Sequence, residues 1–594
     1  MLLSGTLQAE NQNANQQVDS LLEQAKSWPG VIRTNIGVTR KGTKIPCLLA
    51  KDDLNVRSSK MRLLLIAGLD GSPKSVTNAL AVMKWFSTSQ QAVQQRKRFS
   101  MSCVVIASPE SWAANKTGKN ESSRKQLAVY PPKGPAYRDP KHPEAQYLWR
   151  WIGMSAPDLV IVLMGSRKSS PWNWQIPENA SPALKRIAAK FAKEFSISKP
   201  PELVGALWKY KSANMGRIPA ISIDWSVADS PGIGKGLLKI IQDAQPLGHS
   251  PARKEFHRRM ARTPIKIAQQ LSKRYGHNLN RVAYIPALAL IGRLRLGQLT
   301  NDESHRKEVV KIVEPYVSGK KATFGKRVTG SMMPGHLVFG ELARTEKDPL
   351  KRKRYLTLAK RAADLGFDKQ GRMKPTMPAH MEMSDSVFMG CPILTQVGKL
   401  TGEKKYFDMA VRHLRFMLKL NLRKDGLHRH SPLDETAWGR GNGFPALGLA
   451  LCLSDMPKTH PGRAEILRAF QSHMRAMANH QDPTGMWHQV VDRDESYREL
   501  TVTCMTTFAM IRGIRHGWLD EKTYSPIVKR AFAALKTRIS PNATLVDVCT
   551  GTGKQKSLRD YYDRAAILGY DDRGGAMALM VTTEMAIWQR EQRP

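Results

Sequence analysis

Three stretches concentrate side chains that could do chemistry. Residues 426–444 (GLHRHSPLDETAWGRGNGF) set His428, His430, Asp434, Trp438, Arg440 and Asn442 among glycines. Glycine permits close backbone approach to a ligand, and an arginine can clamp a carboxylate through two parallel hydrogen bonds. A glycine-rich loop closing a helical hairpin explains the same residues without a ligand. In residues 381–394 (MEMSDSVFMGCPIL), Asp385 opens an apolar helix. It is either an ordinary N-cap or, because the helix is apolar almost all round, a carboxyl held at a buried end and suited to a general acid. Residues 485–520 begin with Trp487, His488 and Gln489. They could stack on a sugar ring and hydrogen-bond its hydroxyls, or Trp487 could be plain packing.

These motifs need elements to hold them. From about 278 onward, apolar residues recur at helical spacing over 279–296, 303–316, 333–345, 350–365, 384–400, 403–420, 442–454, 461–478, 499–517, 522–538 and 574–590. Helical hairpins in that number predict an all-α (α/α)6 barrel over 278–594, whose loops gather function on one face. Residues 31–250 read differently. The short apolar runs 62–68, 103–109, 158–166 and 218–224 are separated by helical stretches, which predicts an α/β domain with a mainly parallel sheet. A polar tail (1–30) and a basic connector (251–277) complete this multidomain reading.

The chain has 594 residues, 41% hydrophobic and 24% charged, a globular composition of several domains. No apolar run is long enough to span a membrane. The six cysteines form no paired motif and read as buried thiols, and no metal or cofactor site is expected. The first residues are too polar for a complete signal peptide. The compartment is periplasmic or extracellular if they are the remnant of one, and cytoplasmic otherwise. A formal net charge of +43 calls for an anionic partner. Residues 251–300 hold +10 of it, Arg253, Lys254, Arg258, Arg259, Arg262, Lys266, Lys273, Arg274, Arg281, Arg293 and Arg295 against one acid, Glu255, and the rest is spread along the chain. Such a segment binds nucleic acid weakly by counterion release, but no nucleic-acid recognition motif accompanies it. The oligomeric state is not legible.

Four motifs in order carry a family resemblance: Asp385-x-x-Phe388-Met389-x-x-Pro392, Gly426-Leu427-x-x-His430, Trp438-x-Arg440-Gly441-Asn442-Gly443-Phe444, and Gly485-x-Trp487-x-Gln489-Val490. Residues 325–594 resemble the unsaturated rhamnogalacturonyl and uronyl hydrolases (glycoside hydrolase families 105 and 88). The resemblance implies an (α/α)6 barrel and removal of the 4,5-unsaturated uronic acid that polysaccharide lyases leave on oligosaccharides. The usual pair of flanking carboxylates is then not the scheme. One Asp protonates C4 of the vinyl ether, water adds at C5, and the hemiketal collapses. That Asp is Asp385 by resemblance, with His430, Arg440, Trp438, Trp487 and Ser331 as the substrate-binding set and Phe444 in the place of a stacking Trp. Three positions depart from the pattern: Ser331 stands where a second Asp is usual, Met383 where Trp is frequent, and Phe444 where Trp is usual. These departures leave a second expectation open, a catalytically impaired member that binds acidic glycans. Residues 130–166 resemble the α/β fold of zinc carboxypeptidases more weakly. The zinc-ligand positions after the core strands lack histidine, so that domain is expected to be metal-free and inactive as a peptidase.

Overall fold

The computed structural model describes residues 14–592 apart from 115–128, 134–142, 166–181, 183–184, 187–188, 190–200, 225–229 and 244–247. The chain divides into two compact units, Met1–Ala261 with Asp494–Tyr497, and Arg262–Arg493 with Arg498–Pro594.

The first unit is built on a six-stranded sheet of β1 (Val31–Val38), β2 (Lys44–Ala50), β3 (Met61–Ile66), β4 (Phe99–Val104), β5 (Leu159–Met164) and β6 (Ala220–Asp224), in the order β1-β2-β4-β3-β5-β6. The β4/β3, β3/β5 and β5/β6 pairs are parallel, while β1/β2 and β2/β4 are antiparallel. The sheet is therefore mixed, because the hairpin of β1 and β2 adds an antiparallel edge to a parallel centre. The central strands are apolar on both faces, as a sheet covered on both sides requires. Helix α1 (Pro73–Thr88) buries Val76, Ala79, Leu80 and Met83 in this core. The expected polar tail is partly structured. Residues 14–23 are helical and lodge Val18 and Leu22 in the same core, with Trp28 just beyond. Helices α2 (Pro143–Ser155), α3 (Glu202–Lys209), α4 (Ser230–Asp243) and α5 (Pro251–Met260) follow. Part of the 130–166 stretch lies outside the described residues.

The second unit contains twelve principal helices among the described residues: α6 (Pro264–Ser272), α7 (Tyr284–Thr300), α8 (Glu303–Val317), α9 (Leu337–Thr345), α10 (Pro349–Ala363), α11 (Ser386–Thr401), α12 (Lys404–Asn421), α13 (Gly439–Asp455), α14 (Arg463–Asn479), α15 (Leu500–Arg515), α16 (Glu521–Arg538) and α17 (Asp572–Glu591). Helices α7, α9, α11, α13, α15 and α17 each pack on the next, and α17 packs back on α7, closing an inner ring. Helices α8, α10, α12, α14 and α16 each pack on the inner helix before them, and α6 packs on α17. The sequence encodes the two rings by burial. Inner α15 is buried from Leu500 to Ile514. Outer α12 buries one face, including Tyr406, Phe407, Ala410, His413, Leu414 and Met417, and leaves the other to solvent. Caps set the ends: Asp302, Asp520 and Asp571 each accept a backbone N–H in the first turn of α8, α16 and α17.

One expectation needs correction here. The basic connector is not a linker. Residues 251–260 form α5, and α6 places Ile267, Ala268 and Leu271 in the barrel core. The barrel also carries two short strand pairs that the helical reading did not include. Short pairs form between β7 (Trp487–His488) and β8 (Arg498–Glu499), and between β9 (Leu545–Cys549) and β10 (Ala566–Gly569). All six cysteines are buried and free. Among the described residues, no helix is long and apolar enough to cross a membrane.

Candidate active site

Because the helices alternate in direction, the links entering the inner helices gather at one end of the ring. The chemistry-bearing stretches lie there. Asp385 precedes α11 with helical backbone angles, and its carboxylate makes no capping bond, so the simple N-cap reading fails. Three residues just before it, Ala379, Met381 and Glu382, hold left-handed backbone. Such angles cost about 1–3 kcal/mol each and persist where surrounding contacts enforce them.

Those contacts are visible. The Ser384 N–H donates to the His430 carbonyl at 2.9 Å, and the Ser384 hydroxyl donates to the Gly441 carbonyl at 2.7 Å. Asn442 staples the 426–438 loop: its Oδ1 accepts from the His428 N–H at 2.8 Å, and its Nδ2 donates to the His428 and Trp438 carbonyls at 2.9 Å. A Cβ on Gly441 would lie 3.0 Å from Ser384 Oγ and from the Trp438 ring. This glycine therefore admits the protein's own side chains rather than a ligand.

The staple brings Asp385 and His430 together. Asp385 Oδ2 lies 3.3 Å from His430 Nε2. The alignment fails as a hydrogen bond, and neither atom has another partner. On its other side, His430 Nδ1 lies 2.9 Å from the Tyr561 hydroxyl. The His430 ring packs on Trp438 with centroids 4.4 Å apart. The Trp438 indole N–H and Gln489 Oε1 are also buried without partners. Gln489 Nε2 donates to the Tyr561 carbonyl at 3.2 Å, which puts it on the same cluster. Each such orphan costs about 1–3 kcal/mol in a folded protein, and four in one neighbourhood demand an explanation.

Other expected site residues fall elsewhere. Arg440 is 2% exposed, and its guanidinium donates to the Cys549 and Thr550 carbonyls, both at 2.7 Å, while lying over the Trp438 ring. It is a buried brace rather than an open clamp. Phe444 is enclosed between Phe388 (5.5 Å, stacked) and Tyr284 (5.6 Å, edge-on), so its faces are covered. Trp487 is fully buried, and its indole N–H donates to the Met477 carbonyl at 2.7 Å, leaving no face for a sugar. Its neighbour His488 pairs with Asp482, which Arg498 also holds. Burial would raise the Asp482 carboxyl, but Arg498 and His488 hold it well below the usual range. Ser331 is half-buried, and its hydroxyl lies 3.1 Å from that of Thr329.

Sequence reasoning missed three residues. Tyr561 sits on a short helix, Leu558–Tyr562, with no motif to announce it. Tyr284 begins α7; burial raises its hydroxyl, and the charges of Arg440, Arg573 and Asp385 all reach it. Arg573, in the first turn of α17, donates to the Cys549 carbonyl at 3.0 Å but keeps a side chain 21% exposed. In the first unit, Asp70 follows β3. Its oxygens accept from the Ser72 and Gly165 N–H groups at 3.1 and 2.9 Å. Among the described residues, no cluster of three His, Cys, Asp or Glu could hold a metal ion.

The profile of Glycosyl Hydrolase Family 88 matches residues 256–588, more than half of the chain. An unsaturated 3S-rhamnoglycuronyl hydrolase of Formosa agariphila is 31% identical over 173 residues, covering 25% of this chain and 45% of that protein. An unsaturated rhamnogalacturonyl hydrolase of Bacillus subtilis is 24% identical over 188 residues, covering 30% of this chain and 52% of that protein. The chain thus spans about half the length of the curated relatives it matches. A solved family 105 glycoside hydrolase from C. acetobutylicum aligns with a TM-score of 0.47 at 20% identity, over 54% of this chain and 98% of that one.

Proposed function

The chain belongs to Glycosyl Hydrolase Family 88, and on that premise we propose that it hydrolyses unsaturated uronyl oligosaccharides of the kind polysaccharide lyases release. The observation that carries this reading is the set of buried, unpartnered polar atoms around Asp385: its own Oδ2, His430 Nε2, the Trp438 indole N–H and Gln489 Oε1. Together they offer a proton-transfer group, donors and an acceptor, the complement of a sugar's hydroxyls and ring.

In the proposed sequence, the Asp385 carboxyl delivers its proton to C4 of the C4=C5 vinyl ether. Positive charge develops at C5 and the ring oxygen. Water adds at C5 as the Asp385 carboxylate takes up the water's proton, which restores the acid. The hemiketal then opens to a C5 ketone, and the hemiacetal left at C1 releases the rest of the oligosaccharide. One carboxyl serves as acid and then base, so the reaction does not need a carboxylate at Ser331. His430 and Trp438 line the ring. Arg573, being part-exposed, takes the uronate carboxylate, and Arg440 supports Trp438 from behind. For the first unit, we read a zinc-carboxypeptidase-like fold without a working metal site; Asp70, committed to two backbone N–H groups, supports that.

The test is incubation with lyase-generated unsaturated disaccharides of pectic, ulvan and glycosaminoglycan origin, following loss of the vinyl-ether absorbance. Loss is expected with at least one. Asp385→Asn should lower that rate by about three orders of magnitude, roughly 4 kcal/mol of barrier. No loss with any substrate, or an active Asp385→Asn enzyme, overturns the proposal.

A further inference from the structure

The inner ring has a second opening, at the end away from Asp385. Here residues of all six inner helices line a cavity of about 450 Å³. On α11 it is lined by Pro392 and Gln396, up to three turns beyond Asp385; on α15 it is lined by Arg512 and Arg515, whereas the catalytic end of that helix starts at Leu500. Its floor is apolar, with Leu288, Ile291, Leu337 and Met580. Its wall holds four arginines, Arg295, Arg344, Arg512 and Arg515, against two acids, Glu341 and Asp455.

Three of these arginines are fully employed. Arg344 grips Asp455 through two contacts of 2.9 and 3.0 Å. Arg512 grips buried Glu584 at 3.0 and 2.6 Å and reaches Ser454 Oγ at 3.2 Å. Arg515 joins Glu584 and Glu591. Arginines at helix C-termini offset the negative end of the helix dipole, which accounts for them structurally. Arg295 differs. Its Nε–H donates to Glu341 Oε1 at 2.8 Å, and among the described residues its Nη groups form no hydrogen bond, with Nη1 buried. A guanidinium recruited only to cap a helix or pair with Glu341 has no reason to leave that fork empty in a wall already rich in carboxylates and carbonyls.

We propose that this cavity is a second, non-catalytic ligand site for a small organic carboxylate, with Arg295 as its anchor. The paired Nη donors match a carboxylate's two oxygens. Glu341, Asp455, Glu584 and Glu591 balance the four arginines, so the selectivity rests on the open Arg295 fork rather than on net charge. The apolar floor takes a compact body, and the volume suits a ligand of about one ring. The site is independent of the proposed hydrolysis. Its ligand is either a free sugar acid or an unrelated ring carboxylate.

The test is calorimetric titration of the full chain with sodium glucuronate, sodium benzoate, inorganic phosphate and glucose. Saturable one-to-one binding of glucuronate or benzoate is expected, surviving Arg573→Ala at the catalytic end. Arg295→Lys keeps the pairing with Glu341 but removes the fork, and should weaken binding by roughly tenfold or more. If that variant does not fold, Leu451→Phe, which narrows the cavity without touching an ion pair, should have the same effect. Glucuronate alone points to a sugar acid, and benzoate alone to another ring carboxylate. No saturable carboxylate binding, binding lost in Arg573→Ala but untouched by both cavity variants, or phosphate or glucose binding as tightly as the carboxylates would overturn the proposal.

Discussion

The Tyr561 hydroxyl meets the His430 ring on the side opposite Asp385, and that placement makes it testable. Its hydroxyl also receives the Gln555 N–H at 3.4 Å, which turns its proton toward His430 Nδ1 and leaves Nε2 to carry the ring hydrogen beside Asp385. Tyr561→Phe keeps the packing but frees the imidazole to change tautomer. Activity should fall by roughly tenfold, about 1.4 kcal/mol, with an altered pH profile of kcat and a modest drop in Tm from the His430 Nδ1 left without a partner; an unchanged profile would show that the hydroxyl acts on stability alone. The two arginines separate in the same way. Arg573→Ala should raise KM with little change in kcat, the mark of lost ground-state binding. Arg440→Ala strips the Cys549 and Thr550 carbonyls of a donor and leaves a void behind Trp438. It should lower the unfolding free energy by roughly 3 kcal/mol, read as a drop in Tm.

At the scale of elements, His413 on α12 shows how outer helices govern the site. Its Nδ1 accepts the Met377 N–H at 3.2 Å, and its Nε2 donates to the Ser386 carbonyl at 3.0 Å. It thereby fixes the residue next to Asp385. Burial pushes His413 down to about 4, and buried His336 likewise. Both are neutral when folded, whereas the unfolded chain takes up protons near the usual histidine value. The unfolded state therefore binds more protons between about pH 6.5 and 4. Their stabilisation is complete above that window and is lost as pH falls through it, on the order of 3 kcal/mol each. His413→Gln, which can keep both hydrogen bonds, should flatten the fall of Tm between pH 6.5 and 4; an unchanged slope would put the acid sensitivity elsewhere.

The elements themselves were largely legible. Helical periodicity marked every principal helix from α7 to α17 within a few residues, because each is long enough to repeat its apolar stripe. The short strands β7 and β8 were not legible, since two residues carry no period. The motifs marked Asp385 and His430, which the fold brings within 3.3 Å of each other. They misled at Phe444, Trp487 and Arg440, where residue type says nothing about which face is covered. Tyr561 and Arg573 had no local signal at all. Their role depends on loops brought back from more than a hundred residues away.

For the whole molecule, the formal charge of +43 overstates what a polyanion would meet. Arg253, Arg259, Arg262 and Arg293, all in the basic 251–300 stretch, are buried. They are spent on internal groups such as the Ser58, Asn214, Lys536 and Gly276 carbonyls, at 2.7–3.0 Å. Exposed lysines and arginines still leave a cationic surface. For an anionic substrate, kcat/KM should fall as salt rises through the range where screening shortens to about 10 Å, while kcat holds. A salt-independent kcat/KM would remove charge from the encounter.

The closure of the inner ring by α17 against α7 also constrains how the protein is made. During translation, α7 emerges with its seam for α17 unpaired, and some 270 residues must follow before the partner exists. At roughly 5–20 residues per second, that seam waits tens of seconds beside the ribosome, with Gly292 and its apolar neighbours still lacking Leu579. The barrel cannot be completed hairpin by hairpin as a solenoid can. Its nascent intermediates carry an open apolar edge, which makes this half of the chain a natural client for holding chaperones and a poor candidate for any truncation that removes α17.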